Sequence, residues 1–401
     1  MRPYEGRRVL LGVTGGIASY KTAWLARLLA QAGAKVDVVL TRSAREFIGA
    51  VTFEALTGRP VHTELVAEGH ALDHIKLARS AELVVVAPAT ADFLARAAGG
   101  RSDDLLTACL LATDAPVLLV PAMNDRMWAH KQTGANVKHL RSLGYTVLEP
   151  DAGALASPQE GSGPGRMPEP EAIFAHMGRM LETHDLAGRT VTVTAGPTRE
   201  ALDPVRYLTN HSSGKMGVAL AAAAWRRGAE VKLIAGPLSV AVPQGICVTH
   251  VESTDQMAAA VRAELPTSDV LIMAAAPADF RPASVADAKL KKATRPDAIA
   301  LDNTLDILTS TRDARMPGSV IVGFALETDD VIAHAEAKLT SKALDLIVVN
   351  DQREEGAGFG GDTNRVTLLA PNQAPEELAL LLKTEVADAI LDRVGGILHG
   401  R

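Results

Sequence analysis

The stretch VLLGVTGGIASYK, residues 9–21, joins a short apolar run to a glycine-rich turn and to the beginning of a helical segment. Val9–Val13 predicts a buried strand, and apolar residues at helical spacing continue over Ile17–Ala32. Glycines at such a strand end let the backbone approach a phosphate, and the N-terminus of the following helix attracts the anion. The turn lacks the GxGxxG spacing of dinucleotide sites, which favours a mononucleotide.

The same alternation of apolar runs and helical segments continues along the rest of the chain. The further runs that predict strands are Val36–Leu40, Leu83–Ala87, Val117–Val120, Thr190–Thr194, Val231–Ile234, Val270–Met273, Val320–Phe324, Leu346–Val349 and Val366–Leu369. They are continuous rather than alternating, which is typical of parallel strands covered on both faces. The sequence therefore predicts an α/β fold of two doubly wound domains with mainly parallel sheets. We expect the first domain to be flavodoxin-like or Rossmann-like and the second to be Rossmann-like.

A change of composition marks the join between the two halves. Residues 151–167, DAGALASPQEGSGPGRM, are rich in Gly, Ser and Pro and predict a loop, and residues 168–184 predict a helix. The loop is long for a connector, so a flap over a site and a disordered linker are both open. We place the boundary near residue 186, which gives domains 1–186 and 187–401.

The bulk composition bounds the class of protein. The chain has 401 residues, which exceeds the usual limit for one core, and a net charge of −6, which argues against a nucleic-acid binder. No apolar stretch reaches the length of a membrane span, and we expect no membrane partner. The two cysteines, Cys109 and Cys247, exclude a disulfide framework and suit the cytoplasm.

The octamer PAMNDRMW, residues 121–128, is the most informative motif for function. It follows Val117–Val120 and so lies at the carboxyl end of a predicted strand, where open α/β sheets bind ligands. Two methionines and a tryptophan suit a flat apolar ligand edge, and Asn124 offers an amide to a carboxylate. The alternative is a strand end that only packs against the next helix.

Other polar residues also follow predicted strands in the first half. Thr41 and Ser43 could add hydroxyl donors to the same phosphate, and APATAD, residues 87–92, could lie along a ring system. Residues 102–106, SDDLL, predict the beginning of a helix, and a plain N-cap with acidic first-turn residues explains them equally well. His74 is a lone histidine, and such residues are more often structural than catalytic.

Taken together, GVTGGIASYK (12–21), His74 in DHI, APATAD and PAMNDRMW resemble the flavin-dependent cysteine decarboxylases in order and spacing. The resemblance implies FMN at the carboxyl ends of the strands, with His74 and Asn124 at the substrate carboxylate and Met123 among the substrate-binding residues. It also implies a trimer-based assembly with FMN near a subunit interface. We expect the FMN-binding residues to be Gly15, Gly16, Ile17, Ala18, Thr41, Ser43, Pro88, Ala89, Thr90 and Asp103.

The flap departs from this family at one position. Relatives that complete the reduction carry a cysteine in the flap as proton donor, whereas Leu155–Pro158 reads LASP here and the flap is about two residues longer. A serine hydroxyl is a far weaker acid than a thiol, whose ordinary pKa is about 8.5. Our hypothesis is that Ser157, a water or another flap group donates the proton. We expect Cys109 and Cys247 to be core residues.

The second half contains a second set of strand-end motifs. TAGPTRE (194–200) and AAAPADF (274–280) each end a strand, and NHSSGKMG (210–217) precedes a helix over Val218–Arg227. Two serines, a glycine and a lysine at a helix N-terminus suit an anion, although capping by Ser212 or Ser213 explains them as well. The segment KLKK (289–292) is either a solvated charge run or a triphosphate contact.

These motifs, with DPVRY (203–207), GFALET (323–328) and DLIVVND (345–351), resemble phosphopantothenate–cysteine ligases over nearly the whole half. The resemblance implies that CTP with Mg²⁺ activates the 4'-phosphopantothenate carboxylate as an acyl-cytidylate, which the amine of cysteine then attacks. It implies roles for Asn210 at the acyl-cytidylate and for Lys289 against charge on the phosphates. The other implied substrate and nucleotide contacts are Arg206, Ala275, Asp279, Asp306, Ile307, Leu308, Phe324, Lys338 and Lys342.

Two departures from the ligases occur, and neither removes a charged group. Residues 303–308 read NTLDIL where relatives read NPDIL, and Pro277 replaces a commoner valine. No metal ligands can be named from the sequence.

Both halves in this order resemble the bifunctional coenzyme A enzymes of bacteria, which implies a cytoplasmic homo-oligomer with additional dimer contacts through the second domain. Three alternatives remain. The chain could be another flavoenzyme on the same fold, such as a flavin prenyltransferase-like protein. It could be a non-catalytic regulatory flavoprotein. It could also be a ligase whose decarboxylase stalls at the ene-thiol because of Ser157.

Overall fold

A computed structural model describes residues 2–66, 68, 71–291, 298–327, 331–351 and 360–400. The chain divides into two compact units, Met1–Glu182 and Thr183–Arg401. Each unit contains its own large sheet.

The sheet of the first unit is parallel throughout. Its strands are β1 (Arg8–Val13), β2 (Lys35–Leu40), β3 (Val61–His62), β4 (Leu83–Ala89), β5 (Val117–Pro121) and β6 (Thr146–Val147). They lie in the order β3-β2-β1-β4-β5-β6. This is the Rossmann order rather than the flavodoxin order, and it places the topological switch point between β1 and β4.

Helices cover both faces of this sheet, which explains the continuous apolar runs. The helices are α1 (Ser19–Gln31), α2 (Ala50–Thr57), α3 (Asp73–Ser80), α4 (Ala91–Ala98), α5 (Leu105–Ala112), α6 (Asp125–Trp128), α7 (Lys131–Ser142) and α8 (Pro170–Leu181). One hydrophobic cluster joins the sheet to α1, α2 and α8, and another joins its other face to α3, α4, α5 and α7.

The segment 151–167, predicted to be a loop, is a β-hairpin. Strands β7 (Asp151–Ala154) and β8 (Ser162–Arg166) pair antiparallel, and a single 3₁₀ turn over Pro158–Glu160 lies between them. The prediction was wrong because Gly, Ser and Pro dominate the strands, so no apolar alternation marks them. We call residues 151–167 the flap.

The second unit repeats the Rossmann order and adds antiparallel strands. Its strands are β9 (Thr190–Ala195), β10 (Arg199–Ala201), β11 (Tyr207–Thr209), β12 (Glu230–Ala235), β13 (Cys247–His250), β14 (Val270–Met273), β15 (Phe280–Pro282), β16 (Leu301–Asn303), β17 (Val320–Glu327), β18 (Leu346–Asp351), β19 (Thr363–Asn364), β20 (Val366–Leu369), β21 (Glu376–Glu377) and β22 (Leu381–Leu382). The main sheet runs β13-β12-β9-β14-β17-β18-β20-β21, with its switch point between β9 and β14. The continuous apolar run of β20 suggested a parallel strand, but β20 pairs antiparallel with β18.

Helices of the second unit pack on opposite faces of the sheet. They are α9 (Lys215–Arg226), α10 (Thr254–Glu264), α11 (Ile307–Ser310), α12 (Val331–Ser341) and α13 (Lys383–His399). Side chains of α10, α11 and α12 share one hydrophobic cluster with the sheet. Helices α9 and α13 pack against each other, and α9 also contacts β9 and β12.

The N-terminus of α9 differs from the capping alternative given above. The N-cap is Gly214, at φ +77°, and it has no side-chain cap, so neither Ser212 nor Ser213 occupies that position. A Cβ atom on Gly214 would lie 2.2 Å from Cδ2 of Leu238. Glycine is therefore needed both for the left-handed backbone and for the close approach.

Candidate functional sites

The glycine turn of the first unit lies at the switch point between β1 and β4. The hydroxyl of Thr14 donates to the carbonyl oxygen of Pro88 at 2.7 Å and accepts from the backbone N–H of Thr90 at 3.2 Å, which ties the two strand ends together. A Cβ atom on Gly15 would lie 2.5 Å from Cβ of Ser43, so a side chain there would displace the turn. The turn and the end of β4 thus form one surface at the place where this topology binds ligands.

The polar residues after β2 line a neighbouring cleft of about 730 Å³, together with Asp103. The hydroxyl of Thr41 lies 3.3 Å from that of Ser43 and also accepts from the backbone N–H of Ala44 at 3.3 Å. Asp103 forms ion pairs with Arg96 and with Arg101, and its hydrogen bond from Arg96 lowers the pKa of the carboxyl. The carboxylate of Asp103 is therefore ionised and already paired.

Asp104 accounts for the helix signal in SDDLL. Its carboxylate accepts from the backbone N–H of Thr107 at 2.8 Å and completes a capping box at the beginning of α5. The N-cap interpretation of this motif describes Asp104 correctly. Both aspartates line the cleft. The carboxylate of Asp104 is used to cap α5, whereas that of Asp103 is not.

His74 lies in the first turn of α3, packed against α5. Its backbone oxygen accepts a weak hydrogen bond from Sγ of Cys109 at 3.6 Å, and its Nδ1 atom is buried without a hydrogen-bond partner within the described ranges. A buried nitrogen without a partner is costly in a folded protein and indicates a missing ligand or solvent contact. Burial raises the pKa of Cys109 to about 12, which fits a core residue and not a proton donor. The same expectation is wrong for Cys247, which is exposed because it begins the edge strand β13 of the second unit.

The octamer and the flap contact each other directly. The backbone N–H of Met123 donates to the carbonyl oxygen of Gly165 at 2.9 Å. The side-chain amide of Asn124 donates to Oε2 of Glu160 at 3.1 Å, and its Oδ1 atom accepts from the backbone N–H of Arg126. A Cβ atom on Gly165 would lie 2.2 Å from the backbone oxygen of Met123, so the flap can approach this closely only with glycine there.

Ser157 lies in the flap at the beginning of the 3₁₀ turn. Its hydroxyl accepts from the backbone N–H of Gln159 at 3.2 Å. Glu160, at the other end of the same turn, is the flap residue that contacts Asn124. Ser157 could be singled out from the sequence but Glu160 could not, because nothing local to the flap indicates which side chain reaches the octamer.

A pocket of about 570 Å³ lies at the carboxyl ends of the central strands of the second unit. We call it the second-unit pocket. It brings together the predicted residues Asn210, Ala275, Asp279 and Phe324. The amide of Asn210 donates to the carbonyl oxygen of Pro277 at 2.9 Å, which links NHSSGKMG to AAAPADF. Further polar residues of the motifs named above also line this pocket, namely His211, Ser212, Ser213, Lys215 and Asn350. Asn364 and Lys383 line it too, and they lie outside every motif singled out from the sequence.

A second group of predicted residues is centred on α11 and α12. The carboxylate of Asp306 caps α11 through the backbone N–H of Thr309 and pairs with Nζ of Lys342 at 2.9 Å. Burial raises the pKa of Asp306, but the hydrogen bonds from Lys342 and Thr309 lower it by more, so the net shift is downward. Lys338 lies one turn before Lys342.

The side chains of Ile307 and Leu308 are buried in the core, so only their backbone is available to a nucleotide. Thr304 ties the start of the NTLDIL motif to AAAPADF. It donates its backbone N–H to the carbonyl oxygen of Asp279 at 3.0 Å, and its hydroxyl donates to the carbonyl oxygen of Ala278 at 2.6 Å.

Arg206 contacts the segment that carries Lys289. Its guanidinium donates to the buried carboxylate of Asp203 and to the carbonyl oxygen of Leu290 at 2.9 Å. The same carboxylate accepts from the backbone N–H of Leu290 at 3.2 Å. Lys289 itself is exposed, and its neighbour Lys292 lies outside the described residues, as does Thr328 of GFALET. Arg206 therefore positions the Lys289 segment in this structure.

Replacing Asp203 with asparagine is expected to lower the turnover of the second unit about 10-fold, because the charge that holds Arg206 and Leu290 is lost. Hydrogen bonds from Arg206 hold the pKa of Asp203 below its ordinary value. The ionised contact is therefore complete above about pH 4 and is lost only as the pH falls further. Steady-state rates of the ligase reaction expected of the second unit, measured at neutral pH, test this prediction. The matched control is Asp302→Asn, on the exposed strand β16. Equal rates for the two variants would contradict it.

Neither a metal-binding cluster nor a membrane-spanning helix occurs within the described part of the chain. No group of three or more His, Cys, Asp or Glu side chains is arranged there to hold a metal ion. No helix within the described ranges is long and apolar enough to cross a lipid bilayer.

Comparisons with known proteins cover both units. Residues 1–181 match the family described as Flavoprotein, and residues 186–397 match the DNA/pantothenate metabolism flavoprotein C-terminal domain. The coenzyme A biosynthesis bifunctional protein CoaBC of Mycobacterium tuberculosis is 49% identical over 410 residues, which covers 98% of this chain and 97% of that protein. The protein of the same name from Vibrio vulnificus is 44% identical over 398 residues and covers 98% of each. A crystal structure of the C-terminal domain of such a protein is 37% identical, covers 55% of this chain and all of that one, and gives a TM-score of 0.47.

Proposed function

This chain belongs to the family of bifunctional coenzyme A biosynthesis proteins, and from that premise we propose which residues carry its two activities. It is an enzyme with a flavoprotein decarboxylase domain and a phosphopantothenate–cysteine ligase domain. We assign the decarboxylase to residues 1–186 and the ligase to residues 187–401. The ligase product is then the substrate of the decarboxylase, which yields 4'-phosphopantetheine.

FMN is the flavin we propose for the first domain. The observation that supports it is the glycine turn at the switch point, where a side chain at Gly15 would collide with Ser43 and where the hydroxyl of Ser43 lies next to that of Thr41. The turn Gly15–Ala18 and the end of β4, Pro88–Thr90, would hold the cofactor, with Thr41, Ser43 and Asp103 on the adjoining cleft. The chemistry that a bound flavin supplies is reversible two-electron oxidation of the substrate thiol, without which a simple carboxylate does not lose CO₂.

His74 and Asn124 are the protein groups we propose at the substrate carboxylate. The amide of Asn124 already donates to a carboxylate, that of Glu160, so its geometry is suited to the same contact with substrate. The buried Nδ1 atom of His74 lacks a partner within the described ranges and would gain one in the complex. Closure of the flap over the octamer would exclude water from the site.

The proton that completes the reduction has two candidate donors in the flap. If Glu160 is the donor, we expect Ser157→Ala to leave the yield of saturated product almost unchanged. In that case Glu160→Gln should stop the reaction at the ene-thiol. Glu160 is favoured by its contact with Asn124, which places its carboxyl group beside the residue that we propose at the substrate carboxylate. Mass spectrometry of the product from each variant distinguishes the two groups, with Glu149→Gln outside the flap as control.

Loss of saturated product in Ser157→Ala alone would assign the proton to Ser157. A stalled decarboxylase is the second candidate function, because the flap has no cysteine and its turn begins with Ser157. Ene-thiol from the unaltered protein would establish that candidate and remove the need for either donor.

We propose CTP with Mg²⁺ as the nucleotide of the ligase domain. Asn210, Asp279, Ala275 and Phe324 share the second-unit pocket, which is the observation that supports a common ligand. Lys289 would counter charge that develops on the phosphates, and the segment that carries it is tied to Arg206 and Asp203.

The pair of Asp306 and Lys342, with Lys338 one turn earlier and the backbone of Ile307 and Leu308, would form the remaining nucleotide contacts. Release of pyrophosphate from CTP, compared with ATP and with CTP in the presence of a chelator, tests the nucleotide and metal. Equal rates with ATP, or no effect of the chelator, would contradict this assignment.

A cytoplasmic homo-oligomer is the assembly we propose. Large apolar side chains are exposed along the beginning of α1, at Ile17, Tyr20 and Trp24, where a trimer with FMN near its interface would cover them. Tyr207 and Phe280 are likewise exposed on the hairpins of the ligase domain, where dimer contacts would lie. Sedimentation of the full chain, with and without these side chains, measures both contacts.

A further inference from the structure

Two buried amide oxygens in the second-unit pocket have no hydrogen-bond partner within the described ranges. They are Oδ1 of Asn350, near the end of β18, and Oδ1 of Asn364, on β19. Asn364 is only 1% exposed. Buried polar atoms in folded proteins almost always have partners, because a missing hydrogen bond costs the full desolvation of the group. Both residues line the pocket, so a ligand that donates hydrogen bonds is the expected partner.

A buried lysine lies beside these amides. The short β19–β22 ladder pairs Asn364 with Leu381, and α13 begins two residues later at Lys383. Lys383 is 7% exposed, lines the same pocket, and donates from Nζ to the carbonyl oxygen of Gly361 at 2.6 Å. Burial and the nearby charge of Lys215 lower the pKa of Lys383, whereas Asp362 raises it. An anionic ligand group would therefore be held more strongly there than at the surface.

This side of the pocket is separate from two of the proposed nucleotide contacts, Asp306 and Lys342. Side chains alternate between the two faces of a strand, and Val349 belongs to the cluster that includes α10, α11 and α12. Its neighbour Asn350 therefore lies on the opposite face, where α9 and α13 pack together. The pair of Asp306 and Lys342 belongs to the α11 and α12 face. The two amides and Lys383 share the pocket with the other residues that we assign to CTP, namely Asn210, Ala275, Asp279 and Phe324.

We propose that Asn350, Asn364 and Lys383 form the subsite for cysteine, an inference that rests on the proposed ligase function. The two amide oxygens accept hydrogen bonds from the α-amino group, and Lys383 pairs with the α-carboxylate. Neutral acceptors next to a buried cation match an α-amino acid, which carries a donor group and an anion two bonds apart. A phosphate group has acceptors only and would leave both amide oxygens unpaired.

The subsite acts in the second half of the ligase reaction. The ammonium group of cysteine first loses a proton to solvent, and the neutral nitrogen forms a C–N bond to the acyl carbon of the acyl-cytidylate. The C–O bond to the phosphate breaks, and CMP leaves with that electron pair. The nitrogen then loses a second proton to solvent as the amide forms. The amides Asn350 and Asn364 orient the nitrogen, and they are positioned before any bond changes.

The test separates the two half-reactions in the full chain. Exchange of labelled pyrophosphate into CTP, with phosphopantothenate but without cysteine, reports acyl-cytidylate formation alone. The second measurement is kcat/KM for cysteine and for cysteamine, which has the amine but no carboxylate. We expect Asn364→Ala to lower kcat/KM for both amines about 10-fold or more and to leave the exchange rate unchanged.

Lys383→Met has a different expected pattern. It should lower kcat/KM for cysteine about 10-fold or more and leave kcat/KM for cysteamine unchanged. The preference for cysteine over cysteamine would then be abolished. Lys232→Met, which removes a surface ion pair with Glu264, is the matched control and should change neither amine. Unchanged exchange shows that each variant is folded. If Lys383→Met does not fold, the pattern of Asn364→Ala decides.

Two results would overturn the subsite. One is a fall in pyrophosphate exchange parallel to the overall rate, which would assign the amides to CTP or phosphopantothenate. The other is an unchanged preference for cysteine in Lys383→Met. Failure of the proposed function gives a different result, because the unaltered protein would then show no exchange with CTP, and the inference would fall with it.

Discussion

Replacing His74 with asparagine is expected to lower decarboxylation between about 100-fold and 10,000-fold, the usual contribution of a positioned imidazole. Asparagine keeps a polar side chain of similar reach but cannot titrate or present two ring nitrogens. The buried Nδ1 atom of His74 is the group whose missing partner indicates a ligand contact. The measurement is release of CO₂ from added phosphopantothenoylcysteine.

The ligase activity of His74→Asn should remain intact, because the two domains have separate cores. His139→Asn, at an exposed position in α7, is the control and should keep both activities. Full decarboxylation by His74→Asn would remove His74 from the site. Loss of both activities would instead show that the substitution unfolds the chain.

Replacing Lys289 with methionine is expected to impair the ligase and to spare the decarboxylase, the opposite of His74→Asn. It should lower ligase turnover between about 100-fold and 1,000-fold, the range seen when one group that stabilises developing charge is removed. Methionine keeps the length of the side chain but has no charge. Decarboxylation of added phosphopantothenoylcysteine should be unchanged.

The matched control for Lys289→Met is again Lys232→Met, which removes a half-buried lysine paired with Glu264. A further comparison is Asp203→Asn, since Asp203 acts only through the segment that carries Lys289. Asp203→Asn alone should cause a smaller loss of ligase turnover than Lys289→Met. Added to Lys289→Met, it should cause no further loss. Additive losses in the double variant would show that Asp203 acts independently of Lys289.

The buried strands of both sheets could be predicted from the sequence because their apolar runs are continuous, whereas the exposed edge strand β13 was missed. Every predicted strand is present, and the structure only extends some of them, as where β17 runs to Glu327 instead of Phe324. An apolar run indicates burial but not strand direction, so the antiparallel pairing of β20 could not be predicted. Two-residue strands such as β3 and β6 have too few residues for any pattern.

The site residues fall into two groups for a similar reason. Motifs at strand ends, such as the glycine turn and the octamer, are local in sequence and lie where the fold binds ligands. Contacts between distant segments leave no local signal. The bond from Asn124 to Glu160 crosses 36 positions, and Asn364 and Lys383 join a pocket whose other residues lie far earlier in the chain. Such residues emerge only when the chain is folded.

The measurement that tests the central claim most directly is mass spectrometry of one anaerobic reaction. The mixture contains the full chain with FMN, 4'-phosphopantothenate, cysteine, CTP and Mg²⁺. We expect saturated 4'-phosphopantetheine, which requires both domains of this chain to act in sequence. A product lighter by two hydrogens would mean that the flap delivers no proton. Accumulated phosphopantothenoylcysteine would contradict the assignment of the first domain, and unreacted phosphopantothenate would contradict that of the second.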